Sequence, residues 1–294
     1  MNKYLIFRTD RIGDFLLSLI LIKSIKRNDP NSHITLVSSE KNYEYIKSFK
    51  EVNNVILLKK NFFSKFKTFF LLNKSYYKSV IIHDTKKRSR IISQFLKSEN
   101  KYFPNEKITS HLYEIKKILN SLNFYFDDID LNVLDSRPES HQKYQEKGYI
   151  LFHFDEKWIF DEYVNNYINI EPSEDDLEFF LNSLALKSNK RIIVTTGVQT
   201  PKLLINVFNK KLNHNIKLIE NLNFINLEGV VNNCSMLISC HGAISHIAAA
   251  KNIKQIDIVD KSYNYKLWTD HFRNYNFINR SNFKDLSKNI FDLL

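Results

Sequence analysis

The sequence contains few of the features that would assign it to a specialised class. Of 294 residues only two are cysteines, Cys234 and Cys240, and they lie in one short apolar region without the spacing of a disulfide framework or a metal site. We expect both to be buried free thiols. The longest mostly apolar run, Phe15 to Ile22, is far below the ~18 residues of a membrane span, and no signal-peptide pattern opens the chain. We therefore expect a cytoplasmic protein.

Common nucleotide-binding and nucleophile motifs are also missing. The sequence has no P-loop, no G-x-G-x-x-G and no G-x-S-x-G. What is present is an ordinary globular composition, with 43% hydrophobic and 26% charged residues. The length is sufficient for two domains, each with its own core.

The net charge of +11 indicates an anionic partner, which could be a phosphate-bearing glycolipid, a membrane surface or nucleic acid. Lysines are spread along the whole chain, and no recognised nucleic-acid-binding module is evident, so nucleic acid is not expected. The best local basic candidate is a set of lysines interleaved with phenylalanines: Lys59, Lys60, Lys65, Lys67, Lys74, Phe62, Phe63, Phe66, Phe69 and Phe70. Helical spacing of the phenylalanines favours an amphipathic helix that buries one face, with membrane or lipid contact as the second interpretation.

Strand-like runs alternate with helical patterns throughout, which predicts βα units on mostly parallel sheets. The polar stretch that carries Pro138 and ends at Gly148 is typical of an interdomain linker. We predict a first domain over 1–135, a linker over 136–148, and a second domain over 149–294 that ends in a helix. A sugar-binding protein with two α/β domains would give the same outline, so the pattern alone does not choose between enzyme and binder.

The stretch around Gly13 and Asp14 joins a short buried strand to an apolar helix. Gly13 is expected to let the turn take a backbone angle closed to other residues and to leave room for a ligand near the helix N-terminus. Asp14 is expected at the carboxyl end of the first strand, where open α/β sheets bind ligands. By position alone, capping of the helix is the more common role for such an aspartate.

The run Arg8-Thr9-Asp10-Arg11-Ile12-Gly13-Asp14, followed by an apolar helix, resembles the opening of family 9 glycosyltransferases. That heptosyltransferase family transfers ADP-heptose in lipopolysaccharide core assembly. The resemblance implies an α/β fold of the GT-B type, with two Rossmann-like domains whose mostly parallel sheets face each other across a cleft. It also implies that Asp14 is the catalytic base and that Asp10 and Arg11 contact the acceptor.

Two further segments of the first half resemble the family. The run from Val80 to Ser89 stands where the family has a strand and a loop facing the acceptor, and its cations would suit an anionic acceptor. These cations are Lys86, Lys87 and Arg88. A solvated helix start is the alternative for them. His111 matches a histidine that opens a helix in the family, where packing between domains is a sufficient role.

In the second half, the run from Phe152 to Trp158 resembles the segment in which a Lys-Trp pair follows the first strand of the donor domain. The family lysine contacts the donor phosphates. Lys157 would then neutralise charge on the departing diphosphate, which can supply several kcal/mol of transition-state stabilisation. A surface lysine beside a core tryptophan is the alternative.

The runs from Asn226 to Val230 and from Leu237 to Ala250 resemble the donor-site signature, in which a strand leads through a turn into an Ala-rich helix. Free backbone N–H groups in such a turn can hold a diphosphate. The resemblance implies donor-binding roles for His241, Gly242, Ala243 and His246, together with Gly13 from the first half. A core histidine is the alternative for His246.

The chain departs from the family pattern at two places. His241 stands where an aspartate is usual, and Gly242-Ala243 replaces a small residue followed by glycine. After Gly197 the chain has Val198-Gln199-Thr200, without the glutamate that the family often uses for the nucleoside. A diphosphate site is therefore expected more firmly than ADP itself.

No metal is expected. Asp128-Ile129-Asp130 is a D-x-D, the metal–diphosphate motif of the other large glycosyltransferase fold, but the context of that fold is missing, and loop carboxylates are the better interpretation. His241 and His246 are five residues apart and do not share one helical face, so they do not predict a metal pair.

These observations predict an inverting, metal-independent glycosyltransferase. It would move heptose or a related sugar from a nucleotide-diphosphate donor to a bacterial surface glycolipid or polysaccharide. The expected partners are the nucleotide sugar and an anionic glycolipid or oligosaccharide acceptor, with peripheral contact at the cytoplasmic face of the inner membrane left open. The alternatives are a catalytically silent sugar-nucleotide-binding protein and, ranked lower, a basic nucleic-acid-binding protein.

Overall fold

The computed structural model describes residues 1–104, 109–134, 146–160, 166–210 and 212–294. The chain divides into two compact units, the first made of residues 1–136 and 266–271 and the second of residues 137–265 and 272–294. The predicted linker over 136–148 lies almost wholly outside the described residues. Each unit is built around its own parallel sheet.

The first unit alternates strands and helices along the chain. Its strands are β1 (Lys3–Phe7), β2 (His33–Ser38), β3 (Asn54–Leu57), β4 (Tyr77–Ile82) and β5 (Ser98–Tyr102). Its helices up to residue 134 are α1 (Ile12–Asn28), α2 (Tyr43–Lys47), α3 (Phe62–Asn73), α4 (Lys87–Gln94) and α5 (His111–Ser121). The strands pair in parallel in the order β3-β2-β1-β4-β5.

The second unit repeats this alternation. The strands of this part of the chain are β6 (Tyr149–His153), β7 (Ile192–Thr195), β8 (Ile216–Ile219), β9 (Cys234–Cys240), β10 (Lys254–Val259) and β11 (Tyr275–Asn279). The helices are α6 (Glu174–Ser188), α7 (Lys202–Phe208), α8 (Phe224–Asn233), α9 (Ala243–Ala250), α10 (Lys266–Thr269) and α11 (Phe283–Asp292). The parallel sheet has the order β11-β10-β9-β6-β7-β8, and α10 belongs to the first unit, where it packs against α5.

The predicted α/β class and the mostly parallel sheets are confirmed. Residues 4 to 7 of β1 are completely buried, as expected for a central strand of a parallel sheet that is covered on both faces. Cys234 and Cys240 are buried free thiols, as predicted. Asp130 of the D-x-D accepts hydrogen bonds from Ser24 and Arg27 of α1, so it is a structural carboxylate, in line with the predicted loop role.

The strand order of each sheet reverses once beside its first strand. In the first unit this point lies between β1 and β4, and in the second it lies between β6 and β9. Open α/β sheets bind ligands outside the carboxyl ends of the strands at such a switch point. The loops that follow these four strands are therefore where binding groups are to be sought.

Helix α3 differs from the favoured prediction. Its buried residues are Thr68 and Leu72, whereas four of its phenylalanines are exposed by 50% or more of their surface, namely Phe62, Phe63, Phe66 and Phe70. Only Phe69 is half-buried, and it packs against the core beneath the helix. The interpretation that the phenylalanines form the buried face is wrong because the helix turns the 68, 69 and 72 positions inward.

Two elements have weak sequence signals. Strand β11 is an edge strand with polar and exposed residues, and α10 is a single turn, so neither has strong hydrophobic periodicity. Helix α8 begins at Phe224, where the Asn223 side chain caps it by accepting from the Asn226 N–H at 2.8 Å. No helix within the described residues is both long and apolar enough to cross a membrane.

Candidate functional site

A buried arginine occupies the switch point of the first unit. Arg8 directly follows β1 and is 2% exposed. Its Nε donates to Ser18 Oγ of α1 at 2.6 Å, and its Nη2 lies 3.4 Å from Nδ1 of His83, which directly follows β4. Ser18 Oγ also lies 2.7 Å from that His83 nitrogen. The three side chains thus connect the ends of β1 and β4 to α1.

A buried carboxylate joins the two loops at the same edge. Asp84 accepts from the Thr9 N–H at 3.0 Å, from Thr9 Oγ1 at 2.7 Å and from Ser89 Oγ at 2.9 Å. It also accepts from the Lys86 N–H at 3.1 Å. Because a buried carboxylate needs such partners, Asp84 has a structural role that fixes the loop ahead of α1.

Asp14 lies in the first turn of α1, half-buried, and it is not the N-cap residue. The N-cap position is Arg11, whose N–H donates to Asp14 Oδ2 at 3.2 Å. Asp14 therefore supports the helix start from inside. Gly13 is buried in the same turn, and within the described residues only Gly148 among the glycines has a positive φ. The prediction of a special backbone angle at Gly13 is wrong because the helix already begins at Ile12.

The charged groups around Asp14 influence one another. Burial raises the pKa of Asp10, Arg8 acts in the opposite direction, and Asp84 and Asp14 raise it further. Burial and the positive charge of Arg8 lower the pKa of His111 to about 4, against the effect of Asp14. Burial also lowers the pKa of His83 well below its ordinary value. At neutral pH both histidines are uncharged, so this edge of the unit carries carboxylates beside neutral imidazoles.

Three polar atoms at this edge are buried without a hydrogen-bond partner among the described residues. They are Asp10 Oδ1, His83 Nε2 and His111 Nδ1. Such atoms are uncommon because burying a polar group without a partner costs free energy. The sequence singled out Asp10 and His111 but gave no role to His83, although a polar residue directly after a buried strand is the signal that could have found it.

The predicted cations of the first unit are near the surface. Arg11, Lys86 and Lys87 are exposed and Arg88 is half-buried. Helix α4 begins at Lys87, directly after Lys86. Lys86, Lys87 and Arg88 therefore lie at a helix start, as the alternative interpretation predicts. Their position near the surface is also compatible with contact to an anionic ligand.

Lys157 follows β6 in the second unit, in a one-turn 3-10 helix over Glu156–Trp158. It forms an ion pair with the Asp155 carboxylate, and its side chain is only 15% exposed. Burial acts to lower the pKa of Lys157, but Asp155 outweighs that effect and the pKa is raised. Trp158 anchors the turn because it is fully buried and its Nε1 donates to the His153 carbonyl at 2.9 Å. The alternative of a surface lysine is excluded by this burial.

Lys157 lies against Gly242, across the switch point between β6 and β9. A Cβ atom on Gly242 would stand 2.8 Å from Lys157 Nζ and 3.4 Å from Cε. Only a glycine therefore leaves room for the lysine in this position. The structure brings together two residues predicted to bind the donor that are 85 positions apart in the sequence.

His241 is held by a carboxylate that the sequence did not single out. Its Nδ1 donates to Asp257 Oδ2 at 2.5 Å, and Asp257 of β10 is completely buried. Asp257 also accepts from Ser245 Oγ at 2.8 Å and from the Tyr275 hydroxyl at 3.2 Å. The signal that could have found Asp257 was a lone acidic residue between two isoleucines in a strand, because such a residue needs a partner to be buried.

The turn between β9 and α9 uses some of its own amides. The His241 N–H donates to the Ile258 carbonyl at 3.0 Å, and the Gly242 N–H lies 3.2 Å from Ser245 Oγ. The expectation that the turn N–H groups are free is therefore wrong for these two. Ala243 is the first residue of α9, where backbone N–H groups have no partner within the helix.

His246 lies in α9 beside His241. The side chain is buried at 6% exposure, and its ring centroid lies 5.6 Å from that of His241 and 5.3 Å from that of Phe272. The core-histidine interpretation describes its burial, while its ring contact with His241 places it at the switch point. Lys157, His241, Gly242, Ala243 and His246 are thus all gathered around one turn.

A carboxylate also lies beside the loop after β7. A Cβ atom on Gly197 would collide with the Glu156 carboxylate and stand 3.3 Å from Asp155 Cβ. The sequence after Gly197 offers no acidic residue of its own. Glu156, which comes from the loop after β6, therefore supplies this part of the unit with a carboxylate.

No cluster of three or more His, Cys, Asp or Glu side chains suited to a metal ion occurs in the part of the chain that the structure describes. The rings of His241 and His246 are in contact. The nearby Asp257 carboxylate is already hydrogen-bonded to Nδ1 of His241.

Comparisons with known proteins give similarity in structure but not in sequence. No protein-family model matches the chain, and no curated protein matches its sequence. Among solved structures, Escherichia coli heptosyltransferase WaaC with ADP-2-deoxy-2-fluoro heptose is similar at a TM-score of 0.71 and 12% identity, over 99% of this chain and 100% of that one. Glycosyl transferase family 9 from Veillonella parvula DSM 2008 has a TM-score of 0.71 and 11% identity, over 99% and 91% of the two chains.

A third similar structure shows that the fold alone does not determine the activity. The putative UDP-N-acetylglucosamine 2-epimerase from Listeria monocytogenes has a TM-score of 0.61 and 9% identity, over 99% of this chain and 87% of that one. These identities are too low to carry an activity across. The chain has the two-sheet α/β fold shared by family 9 glycosyltransferases and such epimerases.

Proposed function

We propose that this protein is an inverting glycosyltransferase. It moves heptose or a related sugar from a nucleotide-diphosphate donor to an anionic bacterial surface glycolipid or oligosaccharide. The observation that carries the proposal is the buried cation Lys157 seated against Gly242 at the switch point of the second unit. A cation held in a partly dehydrated position is suited to a diphosphate, which is the leaving group of such a transfer.

In this proposal the second unit binds the donor. Lys157 neutralises charge that develops on the diphosphate as the glycosidic bond breaks. His241, with Nδ1 engaged by Asp257, presents Nε2 to a phosphate oxygen, and His246 and the first amides of α9 complete the site. Asp155 and Asp257 are positioning residues because each acts by holding a cationic or imidazole side chain. No metal ion takes part in the proposed step.

The first unit binds the acceptor and supplies the base. The Asp14 carboxylate takes the proton from an acceptor hydroxyl while that oxygen attacks the anomeric carbon, and the bond to the diphosphate oxygen breaks in the same step. Asp10, His83 and His111 contribute the buried polar atoms that hydroxyl groups of a sugar could satisfy. Arg11, Lys86, Lys87 and Arg88 suit phosphate or carboxylate groups on the acceptor.

We infer that the nucleotide is adenosine diphosphate, on the strength of the fold shared with heptosyltransferases crystallised with ADP ligands. The Glu156 carboxylate beside Gly197 is suited to accept hydrogen bonds from ribose hydroxyls. Such a transferase would work at the cytoplasmic face of the inner membrane, where a lipid-linked acceptor is exposed.

The proposal is tested with a panel of ADP-, UDP-, GDP- and dTDP-sugars, by calorimetric binding and by release of free nucleoside diphosphate with and without lipopolysaccharide core oligosaccharides. We expect ADP to bind and an ADP-sugar to be consumed faster when acceptor is present. Binding without consumption by any acceptor would identify a silent sugar-nucleotide-binding protein. Binding of nucleic acid with a steep salt dependence, and of no nucleotide sugar, would contradict both.

A further inference from the structure

The net positive charge of this protein is concentrated in one segment, because acidic residues are nearly absent from it. Residues 52–98 contain eleven of the 43 Lys and Arg residues but only one of the 32 Asp and Glu residues, the buried Asp84. The rest of the chain is therefore close to neutral, and almost all of the net charge of +11 lies in the segment that includes α3 and α4.

The same segment exposes large apolar side chains. The α3–α4 surface consists of Phe62, Phe63, Phe66, Phe70, Ile91 and Phe95, which are 50% to 84% exposed. Neighbouring rings on α3 contact one another, for example Phe66 and Phe70 with centroids 4.5 Å apart. Single exposed apolar residues are common on proteins, but a continuous group of this kind marks an interaction surface.

Helices α3 and α4 are joined into one surface by the core beneath them. Leu72 of α3 and Leu96 directly after α4 are buried in the same hydrophobic cluster. Phe69 of α3 contacts Phe95 with ring centroids 6.5 Å apart. Exposed lysines flank this surface, among them Lys60, Lys67 and Lys74.

We propose that the α3–α4 surface binds an anionic lipid bilayer, with the phenylalanines entering the boundary between headgroups and acyl chains and the lysines contacting anionic headgroups. Phenylalanine has no polar atom that must stay hydrated, and a basic helix with an apolar aromatic face is typical of helices that lie in a membrane interface. A second copy of the chain is a poor partner because two segments of the same high positive charge would repel. The proposal does not rest on the proposed sugar transfer.

The test measures co-sedimentation of the full-length protein with vesicles, in the absence of nucleotide sugar. We expect binding to vesicles of phosphatidylethanolamine with phosphatidylglycerol and at least tenfold weaker binding to vesicles of phosphatidylcholine, as expected from about fivefold per lysine contact. The triple variant Phe62→Ser/Phe63→Ser/Phe66→Ser should lose about tenfold or more of the binding because apolar contact is removed. The variant Lys60→Gln/Lys67→Gln/Lys74→Gln should lose about fivefold for each lysine.

Two exposed residues of α6 provide the matched control. Phe179 and Leu186 are 70% and 71% exposed, so Phe179→Ser/Leu186→Ser removes the apolar surface of two exposed side chains elsewhere and is compared with the double variant Phe62→Ser/Phe63→Ser. This control should bind vesicles as the wild type does. Because every substituted residue is exposed, all variants should keep the thermal midpoint of unfolding of the wild type.

Equal binding of the wild type and the phenylalanine variant to anionic vesicles would overturn the proposal. So would binding of short RNA in preference to vesicles, abolished by the same substitutions, because that result would assign the surface to nucleic acid. Failure of vesicle binding would leave the nucleotide-sugar tests unaffected, so the two proposals fail separately.

Discussion

In the first unit the loops after β1 and β4, with the first turns of α1 and α5, bring together Asp10, Asp14 and the uncharged His83 and His111, whereas in the second unit the loops after β6 and β9 bring together Lys157 and His241. Both sets lie at the switch point of a parallel sheet. In the first unit α1 begins shortly after β1, and in the second unit α9 begins shortly after β9. The architecture is shared, but the first set consists of carboxylates and imidazoles, whereas the second contains a lysine paired with a carboxylate.

This difference between the two units shows that the same fold can position different chemical groups, because those groups come from the segments that follow the strands. A carboxylate at a helix start can accept a proton, while a cation against a glycine can hold a diphosphate. In the second unit a buried carboxylate holds each side chain, with Asp155 holding Lys157 and Asp257 holding His241. A base in one unit and a cation in the other are what the proposed transfer from a diphosphate to a hydroxyl requires.

Removal of the Lys157 side chain should have the largest effect on the difference between the two units. We expect Lys157→Ala to lower turnover by about a hundredfold to a thousandfold, since a main stabiliser of the leaving group is lost. Nucleoside-diphosphate affinity, measured by calorimetry, should fall as well. The exposed Lys202 of the same unit provides the control, and Lys202→Ala should leave both quantities unchanged.

Stability must be measured beside turnover, because Lys157→Ala leaves the buried Asp155 without its cation. Asp155→Asn breaks the same ion pair and retains the lysine. Both variants should lower the free energy of unfolding, by roughly 3 kcal/mol for the unpaired carboxylate, but only Lys157→Ala should lose most of the turnover. Equal losses of turnover would mean that the intact ion pair, and not the lysine alone, is required.

The position of the lysine is tested at the glycine beside it. Gly242→Ala places a Cβ atom 2.8 Å from Lys157 Nζ, so the flexible end of the lysine must move, and donor affinity should fall about tenfold. In a Lys157→Ala background the same glycine substitution should have almost no further effect. A full tenfold loss in that background would show that Gly242 acts on the site by another route.

The histidines should give both units the same acid sensitivity. His111 of the first unit and His153 of the second are held by burial at a pKa of about 4, below the ordinary 6.5. The unfolded chain therefore binds protons between pH 6.5 and 4 that the folded chain does not, and the free energy of unfolding falls as the pH is lowered through that range.

Replacing either histidine should flatten this dependence. His111→Gln should reduce the loss of unfolding free energy between pH 7 and 4.5 by roughly 2 kcal/mol, measured by urea unfolding at each pH. His153→Gln is the matched variant in the second unit. A dependence on pH unchanged in both variants would contradict the assigned neutral state.

The smallest expected effect is that of metal removal. If Lys157 and His241 stabilise the leaving group, a chelator such as EDTA should change turnover by less than about twofold. Recovery of lost activity by added Mg²⁺ or Mn²⁺ would show instead that an ion shares this task.

The sequence predicts the alternation of strands and helices because central strands such as β1 and β6 are apolar and fully buried and most helices have regular periodicity. It also places Lys157 and His241 after strand ends and His246 in the helix that follows, which the structure confirms. The pairing of His241 with Asp257 and the contact of Lys157 with Gly242 depend on which strands adjoin, and a local pattern does not contain that information.

Two errors have a common cause. Gly13 and the phenylalanines of α3 were interpreted from residue type, yet the start of α1 at Ile12 and the inward positions of α3 were set by packing on the sheet. The concentration of charge in residues 52–98 could have been found by counting along the sequence. The side of α3 that faces solvent could not have been found in this way.

The central claim concerns Asp14, and the most direct measurement combines donor affinity and turnover of Asp14→Asn. Asparagine can still accept the hydrogen bond from the Arg11 N–H, so the fold and the donor affinity, which the proposal assigns to the second unit, should match the wild type. Turnover should fall by at least about a thousandfold, because asparagine cannot accept the proton. A well-folded Asp14→Asn protein that transfers sugar at the wild-type rate would contradict the account.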